Sequence, residues 1–234
     1  VANGAGTYNT KSAVFGGNYP YIPMACLNWQ DLASFLDWSG LRPMSEFEYE
    51  KACRGNNGGV ANAPVAFEYP WGSTIMNGGN GGNYIYAQWG ASTTWPVYDG
   101  ACRNWDDQGP VRPGFAATST SNRSQAGATY YGIMEMAGNV WEQCVGGGAG
   151  YDYSNFRSNI HGDGVISSTG LANVTGWPTN GGTTSGTILK GGHFVSTSNY
   201  FQYQVSDRYY YDGSSENASN QRSRFVGGRG VRTY

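Results

Sequence analysis

The stretch that decides the fold is G-L-R-P-M-S-E-F-E-Y-E-K-A-C-R-G, residues 40–55. Within it, Ser45 is followed three residues later by Glu48, which is the pattern of a capping box at the start of a helix. The helix is expected to end at Gly55, because glycine readily takes the left-handed conformation that closes a helix. Its apolar surface is predicted to comprise Phe47, Tyr49, Ala52 and Cys53.

Another helix is predicted immediately before this stretch. Asn28 is suited to cap its first turn, and Gly40 is suited to stop it. Between them, apolar side chains recur at a spacing close to 3.6 residues, as an amphipathic helix requires. They are Leu32, Phe35, Leu36 and Trp38.

The remainder of the chain favours short strands over helices. Thr187–Lys190 and residues 224–226 are predicted to be core strands, and residues 84–86 a brief strand. Residues 133–143 are apolar, but the three glycines at 146–148 exclude a helix that continues through them.

The composition of the 234 residues indicates a loop-rich fold. Glycine occurs 37 times and aromatic residues make up 15%, which fits tight backbone turns held by large aromatic contacts. The net charge of −2 excludes the basic footprint of a nucleic-acid-binding protein. No apolar run approaches the roughly 20 residues of a membrane-spanning helix. We expect a leading segment at residues 1–20 and one domain of mixed α and β structure over residues 21–234.

The cysteines do not indicate a metal site. Four cysteines allow three disulfide connectivities or none. Because the sequence has no C-x-x-C pair and only two histidines, a structural zinc site is not expected. The cysteines are Cys26, Cys53, Cys102 and Cys144.

Five segments in order resemble the formylglycine-generating enzyme family. They are residues 40–55, 69–72 (Y-P-W-G), 136–142 (M-A-G-N-V-W-E), 191–192 (G-G) and 230–232 (G-V-R). In order and separation they match the family, so the resemblance extends over nearly everything after about residue 20. The resemblance implies an α+β structure, a C-type lectin fold of the formylglycine-generating enzyme type, loop-rich with two helices and short antiparallel strands.

The resemblance also implies what an oxidase of this family would need. Such enzymes bind copper through two cysteines that follow a Gly-Gly turn, and the matching positions here are Ser196 and either Tyr200 or Phe201. None of these supplies the soft thiolate that Cu(I) prefers. Related iron enzymes use a histidine cluster, and this chain has only His161 and His193. We therefore expect that the protein is not an enzyme and has no copper, iron or nucleotide cofactor. The two histidines are still enough in number for a metal site made of two histidines and one carboxylate.

The C-terminal segment has the chemistry of a binding surface. From His193 to Tyr234 there is no Leu, Ile, Met, Lys, Trp, Pro or Cys, and Tyr, Ser and Asn cluster instead. Tyrosine gives a large amphipathic contact area at low entropic cost, and Ser and Asn give adaptable hydrogen bonds. The alternative is that the tyrosines pack internally. The residues predicted to contact a ligand are His193, Val195, Ser196, Thr197, Asn199, Phe201, Tyr203, Tyr209, Tyr210, Tyr211, Asp212, Ser214, Asn217, Ser223 and Phe225.

Within the family that the motifs resemble, this segment is similar to the variable proteins of diversity-generating retroelements. In those proteins, error-prone copying at template adenines rewrites a C-terminal repeat, often at asparagine codons, and such codons cannot become Lys, Met or Trp. Residues 205–208 and 227–232 would be invariant and would hold the backbone. Four residues that such codons cannot give would be invariant or come from other codons: Gln202, Gln204, Glu216 and Gln221.

We therefore predict a ligand-binding protein whose binding face lies at residues 193–226. It would be displayed at a cell surface or on a phage tail tip, with a protein or a surface glycan as its partner. Two other functions stay open. One is a fixed carbohydrate-binding, protein-binding or structural member of the family, and the other is a sulfur-oxidising enzyme.

The resemblance also implies a structural calcium ion near the third motif. Family members often hold calcium there through backbone carbonyls and a carboxylate, a donor set that suits a hard cation. The alternative is that Glu142 only satisfies loop amides. The matching positions are Glu135, Gly138, Val140 and Glu142.

Overall fold

The computed structural model describes residues 23–56, 64–74, 110, 113–114, 117–146, 154–181, 186–194, 200–208 and 222–233. The predicted strand at residues 84–86 lies outside these ranges, as does Cys102. Two α-helices and two small sheets lie within them, which confirms a mixed α and β structure. Neither of these helices has the length and apolarity that crossing a membrane requires.

The first helix, α1, spans Trp29–Trp38 and begins as predicted. The Asn28 side chain accepts a hydrogen bond from the amide of Asp31 at 2.8 Å, and the Asp31 carboxylate accepts one from the amide of Asn28 at 3.1 Å. These two bonds satisfy amides that the helix leaves free at its first turn. The buried face of α1 consists of Trp29, Leu32, Ala33, Leu36 and Asp37.

The prediction that Phe35 and Trp38 belong to the apolar face of α1 is wrong. Their side chains are 54% and 63% exposed. Both lie outside the strip of residues that faces the core, because Trp29, Leu32 and Leu36 define that strip at helical spacing. The two exposed rings contact each other instead, with centroids 6.2 Å apart.

The second helix, α2, spans Glu46–Arg54 and carries the predicted capping box. The Ser45 hydroxyl accepts from the amide of Glu48 at 3.2 Å, and the Glu48 carboxylate accepts from the amide of Ser45 at 3.0 Å. Tyr49 and Cys53 are fully buried, as expected for its apolar face. Phe47 was placed on the same face and is instead 71% exposed, because it lies two residues from Tyr49 and therefore points away from the core.

A three-stranded sheet forms the centre of the described structure. Its middle strand is β2 (Trp141–Val145), which pairs antiparallel with β3 (Thr187–Lys190) and parallel with β4 (Val226–Gly228). The prediction of antiparallel strands is therefore wrong for the β2–β4 pair. All residues of β2 and β3 are buried. A two-stranded sheet joins β1 (Arg42–Pro43) to β5 (Gly230–Val231), so the end of the chain closes against the stretch that precedes α2.

The predicted strand at Thr187–Lys190 is confirmed, whereas the one at residues 224–226 begins two residues later than expected. The amide of Val226 donates to the carbonyl of Ser223 at 3.0 Å, so residues 223–226 form a turn. The strand then continues into two glycines because the chain packs closely against its neighbours there. A Cβ on Gly227 would lie 2.8 Å from the carbonyl oxygen of Met24, and one on Gly228 would overlap the Leu32 side chain.

Candidate functional site

The Gly-Gly turn at residues 191–194 docks against the loop that carries the third motif. The amide of Gly138 donates to the carbonyl of Gly191 at 2.7 Å, and the amide of Phe194 donates to the carbonyl of Asn139 at 3.0 Å. Two segments that are about 50 residues apart in sequence are thereby fixed side by side. We call this arrangement the inner frame, meaning residues 134–142 and 191–194 together with Arg229, whose guanidinium donates to the carbonyls of Met134 and Glu135.

Both glycines of the turn are required by their surroundings. Gly191 has φ +90°, and a Cβ there would lie 2.7 Å from Oε2 of Glu142 and 2.7 Å from the carbonyl oxygen of Met136. Gly192 has φ +75°, and a Cβ there would overlap the ring of Tyr203. A side chain at either position would meet both backbone strain and a steric clash.

His193 lies in a buried aromatic group at the base of the predicted binding face. Its ring centroid is 4.1 Å from that of Phe225, 5.9 Å from that of Trp141 and 6.2 Å from that of Phe194. Burial, aided by the nearby positive charge of Arg224, lowers the pKa of His193 to about 3. The imidazole is therefore neutral at physiological pH and packs as an aromatic side chain.

The structure describes five of the residues predicted to contact a ligand. Tyr203 is fully buried and donates its hydroxyl hydrogen to the carbonyl of His193 at 2.9 Å, so both residues lie beneath the surface. Phe201 is 36% exposed, and Ser223 and Phe225 are half-buried. The amide of Phe225 donates to the hydroxyl of Ser223 at 3.3 Å.

Ten of the predicted contact residues lie outside the described ranges. Their role in binding stays a prediction. They are Val195, Ser196, Thr197, Asn199, Tyr209, Tyr210, Tyr211, Asp212, Ser214 and Asn217.

The chain just before the tyrosine-rich segment, residues 209–221, is anchored at three nearby residues. Val205 is fully buried, and its amide donates to the carbonyl of Glu68 at 2.9 Å. The buried ammonium of Lys190 donates to the carbonyl of Asp207 at 2.8 Å. Arg208 then places Nε 3.0 Å from the carboxylate of Glu46, whose side chain is 6% exposed. Three parts of the fold therefore hold residues 205–208.

The backbone just after the same segment is anchored to α1. Arg222 binds the Asp31 carboxylate with Nε at 2.7 Å from one oxygen and a terminal nitrogen at 2.8 Å from the other. Such a two-pronged pair fixes the orientation of the arginine. Sequence reasoning missed both partners, Glu46 and Asp31, because each also belongs to the charged first turn of a helix, where acidic residues are expected without any partner.

Glu142 is the buried acid of the inner frame. Its side chain is 2% exposed, and Oε1 accepts from Nε of Arg229 at 3.0 Å. Burial raises the pKa of Glu142, and the adjacent Arg229 guanidinium opposes that rise by favouring the charged carboxylate. Oε1 of Glu142 therefore pairs with an arginine, a partner that neither the calcium prediction nor its alternative included.

Glu135, another of the predicted calcium ligands, already has partners at two of its oxygens. Oε1 of Glu135 accepts from the amide of Gly114 at 3.1 Å, and the carbonyl of Glu135 accepts from Arg229 at 2.7 Å. Among the described residues no three Asp, Glu, His or Cys side chains come together, so an ion here would depend on backbone carbonyls. Two of the predicted donors, Oε1 of Glu142 and the carbonyl of Glu135, already contact the Arg229 guanidinium, and binding of calcium here stays a prediction.

A cleft of about 680 Å³ opens between α2, residues 131–136 and the β1–β5 sheet. Its walls carry the exposed cations Lys51 and Arg232 and the half-exposed ring of Tyr131, and Met136 lies at its floor. None of the five predicted contact residues that the structure describes lines this cleft.

The described cysteines are poor candidates for thiolate chemistry. Cys53 and Cys144 are fully buried, and neither they nor Cys26 forms a disulfide. Burial raises the pKa of all three thiols, and for Cys53 and Cys144 the nearby Glu142 carboxylate raises it further. They are therefore held as neutral thiols, whereas a copper site needs thiolates.

Comparison with known proteins gives a consistent result. The sequence profile of a family described as "Sulfatase-modifying factor enzyme 1-like domain" matches residues 7–234. A relative named "Formylglycine-generating enzyme" from Thermomonospora curvata is 30% identical over 126 residues, which is 54% of this chain and 34% of the relative. A relative of the same name from Streptomyces coelicolor is 26% identical over 129 residues, or 53% of this chain and 32% of the relative. The match thus spans about a third of the length of each relative.

Proposed function

The chain belongs to the sulfatase-modifying factor enzyme 1-like family, and from that premise we propose that it is a ligand-binding member, a variable protein of a diversity-generating retroelement. It presents residues 193–226 on a scaffold with the C-type lectin fold of the formylglycine-generating enzyme type. Its partner is a protein or a surface glycan, and its place is a cell surface or a phage tail tip.

One observation carries the proposal: the residues on either side of the tyrosine-rich segment form ion pairs with the two helices. Residues 209–221 include Y-Y-Y-D and S-S-E-N-A-S-N, and the residues that flank them are Arg208 and Arg222. Arg208 pairs with α2 through Glu46, and Arg222 pairs with α1 through Asp31. Anchors of this kind let the sequence between them change without loss of the scaffold, which is what a diversified binding segment requires.

The burial of residues beneath the predicted binding face supports the same proposal. Gln202 is one of the four residues that asparagine-type codons cannot give, and it is 1% exposed. A buried residue of this kind contributes to packing, so selection would keep it constant. His193, Phe225 and Trp141 give the face a packed aromatic base, and a rigid base reduces the ordering cost of binding.

A second function, oxidation of a sulfatase cysteine, is favoured by the name that the two relatives carry. The positions that match the copper-binding cysteines are Ser196 and either Tyr200 or Phe201, and no cysteine follows Cys144. Titration with Cu(I), followed by gel filtration and metal analysis, distinguishes the two functions. We expect no stoichiometric copper, and one equivalent of tightly bound copper together with oxidation of a cysteine-containing sulfatase peptide would favour the enzyme.

Sequencing of the DNA around the gene tests the diversification directly. We expect a second, adenine-rich copy of the segment that encodes residues 193–226, beside a gene for a reverse transcriptase. Mismatches between the two copies would fall at adenines of the template. A locus without such a copy would refute diversification and favour a fixed binding module.

Binding itself is tested with a glycan array and a panel of bacterial cells, probed with the fluorescently labelled protein. A triple variant, Tyr209→Ala, Tyr210→Ala and Tyr211→Ala, is expected to lose at least about tenfold in affinity for whatever surface the protein binds. The matched control replaces Tyr130 and Tyr131, which are 44% and 53% exposed and lie outside the segment. Equal losses in both variants would contradict a binding role for residues 209–211.

A further inference from the structure

The inner frame contains a cation that belongs to the chain itself. We infer that the guanidinium of Arg229 supplies the positive charge that the buried Glu142 carboxylate requires, so that this loop is stable without a calcium ion. This inference is independent of which ligand the protein binds.

The contacts of Arg229 match those that a metal ion would make. Nε lies 3.0 Å from Oε1 of Glu142, and a terminal nitrogen donates to the carbonyls of Met134 at 2.9 Å and Glu135 at 2.7 Å. One carboxylate and two consecutive carbonyls thus converge on one positive group. A guanidinium presents five donors in a fixed plane and keeps its charge when partly buried, so it can hold several acceptors at once.

The backbone of the loop takes an uncommon conformation at two residues whose carbonyls accept hydrogen bonds within the inner frame. Glu135 has φ +59° and Asn139 has φ +64°, a region that residues other than glycine seldom adopt. Strain of this kind persists only where the surroundings impose it. The carbonyl of Glu135 points to Arg229, and the carbonyl of Asn139 accepts from the amide of Phe194 at 3.0 Å.

The other oxygen of Glu142, Oε2, is the atom at which the inference can be tested against calcium binding. Oε2 is buried and accepts no hydrogen bond within the described ranges. It faces the backbone of Gly191, near the carbonyl of Met136 and the hydroxyl of Tyr49, which donates to that carbonyl. Tyr49 is fully buried, so Oε2 is directed toward the core. It is also the one oxygen of this carboxylate that a calcium ion could still take.

The first test compares thermal unfolding of the whole protein in about 5 mM CaCl2 and in EDTA. Because Arg229 already neutralises Glu142, the Tm is expected to agree within about 1 °C between the two solutions. Titration with Tb³⁺, detected by luminescence sensitised through tryptophan, reports any bound ion directly. A rise in Tm with calcium, or a Tb³⁺ signal, that Glu142→Gln abolishes would overturn the inference.

The second test removes the guanidinium. Arg229→Met leaves a buried carboxylate without its cation, and a fall in Tm of more than about 5 °C is expected for a chain of this size. Arg232→Met, an exposed arginine of the same C-terminal stretch, is the matched control and should change the Tm by less than about 2 °C.

A double variant keeps the test decisive if Arg229→Met fails to fold. Glu142→Gln removes the stranded charge, so Arg229→Met with Glu142→Gln is expected to be more stable than Arg229→Met alone. If the two changes lowered the Tm additively, Arg229 would stabilise the fold by packing alone and the inference would fail.

Discussion

Among the arginine–carboxylate pairs that secure the C-terminal part of this chain, two differ most in burial: Arg229–Glu142 and Arg222–Asp31. In the inner frame, Arg229 meets a Glu142 side chain that is 2% exposed, through a single nitrogen–oxygen contact at 3.0 Å. At the end of the tyrosine-rich segment, Arg222 meets Asp31 through two contacts at 2.7 and 2.8 Å, but the side chains are 59% and 26% exposed.

The comparison teaches that better geometry does not imply a larger contribution to stability. Water competes for the exposed pair, so its loss leaves both groups solvated and changes the free energy of unfolding little. Loss of Arg229 leaves a carboxylate that water does not reach, and the cost of that stranded charge dominates. Substitutions in the inner frame should therefore be strongly destabilising. Substitutions in the Arg222–Asp31 pair, which we call the outer anchor, should be tolerated.

The largest effect is expected for Gly191→Ala, at the centre of the inner frame. The new Cβ would meet Oε2 of Glu142 and the carbonyl of Met136 at 2.7 Å, at a φ of +90°. We expect the free energy of unfolding to fall by about 4 kcal/mol in urea denaturation. Gly170→Ala is the matched control, since Gly170 has φ +80° and nothing within 4 Å of its Cβ position. It should lose only about 1 kcal/mol, and a similar loss in both variants would contradict the steric argument.

A smaller effect, which depends on pH, is expected from His193 beneath the binding face. The unfolded chain takes up a proton near pH 6.5, whereas the folded protein, with Arg224 beside the ring, takes it up only near pH 3. Stability is therefore complete above pH 6.5 and declines as the pH falls toward 3, by up to about 1.4 kcal/mol for each pH unit. Urea denaturation of the protein and of His193→Gln at pH 4 to 7 measures this. Parallel pH profiles of the two proteins would refute it.

The next effect in decreasing size is expected for Arg208→Ala. It should exceed that of Arg222→Ala, because Glu46, the partner of Arg208, is more buried than Asp31, the partner of Arg222. Glu46 is 6% exposed, and the substitution removes a cation that lies 3.0 Å from its carboxylate. The free energy of unfolding is expected to fall by about 1–2 kcal/mol, as measured by urea denaturation. Recovery of part of this loss in a double variant with Glu46→Gln would identify the stranded carboxylate as the cause, and no recovery would exclude it.

The smallest effect is expected for Arg222→Ala in the outer anchor. Both partners are substantially exposed, so the loss should stay below about 1 kcal/mol and should shrink further in 1 M NaCl. The comparison uses Arg222→Ala and not Asp31→Ala, since Asp31 also caps α1 through the amide of Asn28. A loss as large as that of Arg208→Ala would show that burial does not separate the two anchors.

The sequence by itself determined the helices and one of the core strands. Capping residues bind amides within the next three positions. The starts of α1 and α2 could therefore be predicted from the local sequence around Asn28 and Ser45 alone. In β3 two apolar residues, Ile188 and Leu189, stand between Thr187 and Lys190, and this short run was also recognisable from the sequence. Helix faces were predicted less well: Phe35, Trp38 and Phe47 are apolar but exposed, because hydrophobicity alone does not tell which face meets the core.

Only the tertiary structure decided which charges meet. Arg229 and Glu142 are 87 residues apart, and Arg222 and Asp31 are 191 apart, and no local pattern relates residues at such separations. It also decided that His193 and Tyr203 lie beneath the surface, since burial depends on which segments pack over a residue. The reason is physical: capping and periodicity are set by neighbours along the chain, whereas an ion pair or a buried ring is set by neighbours in space.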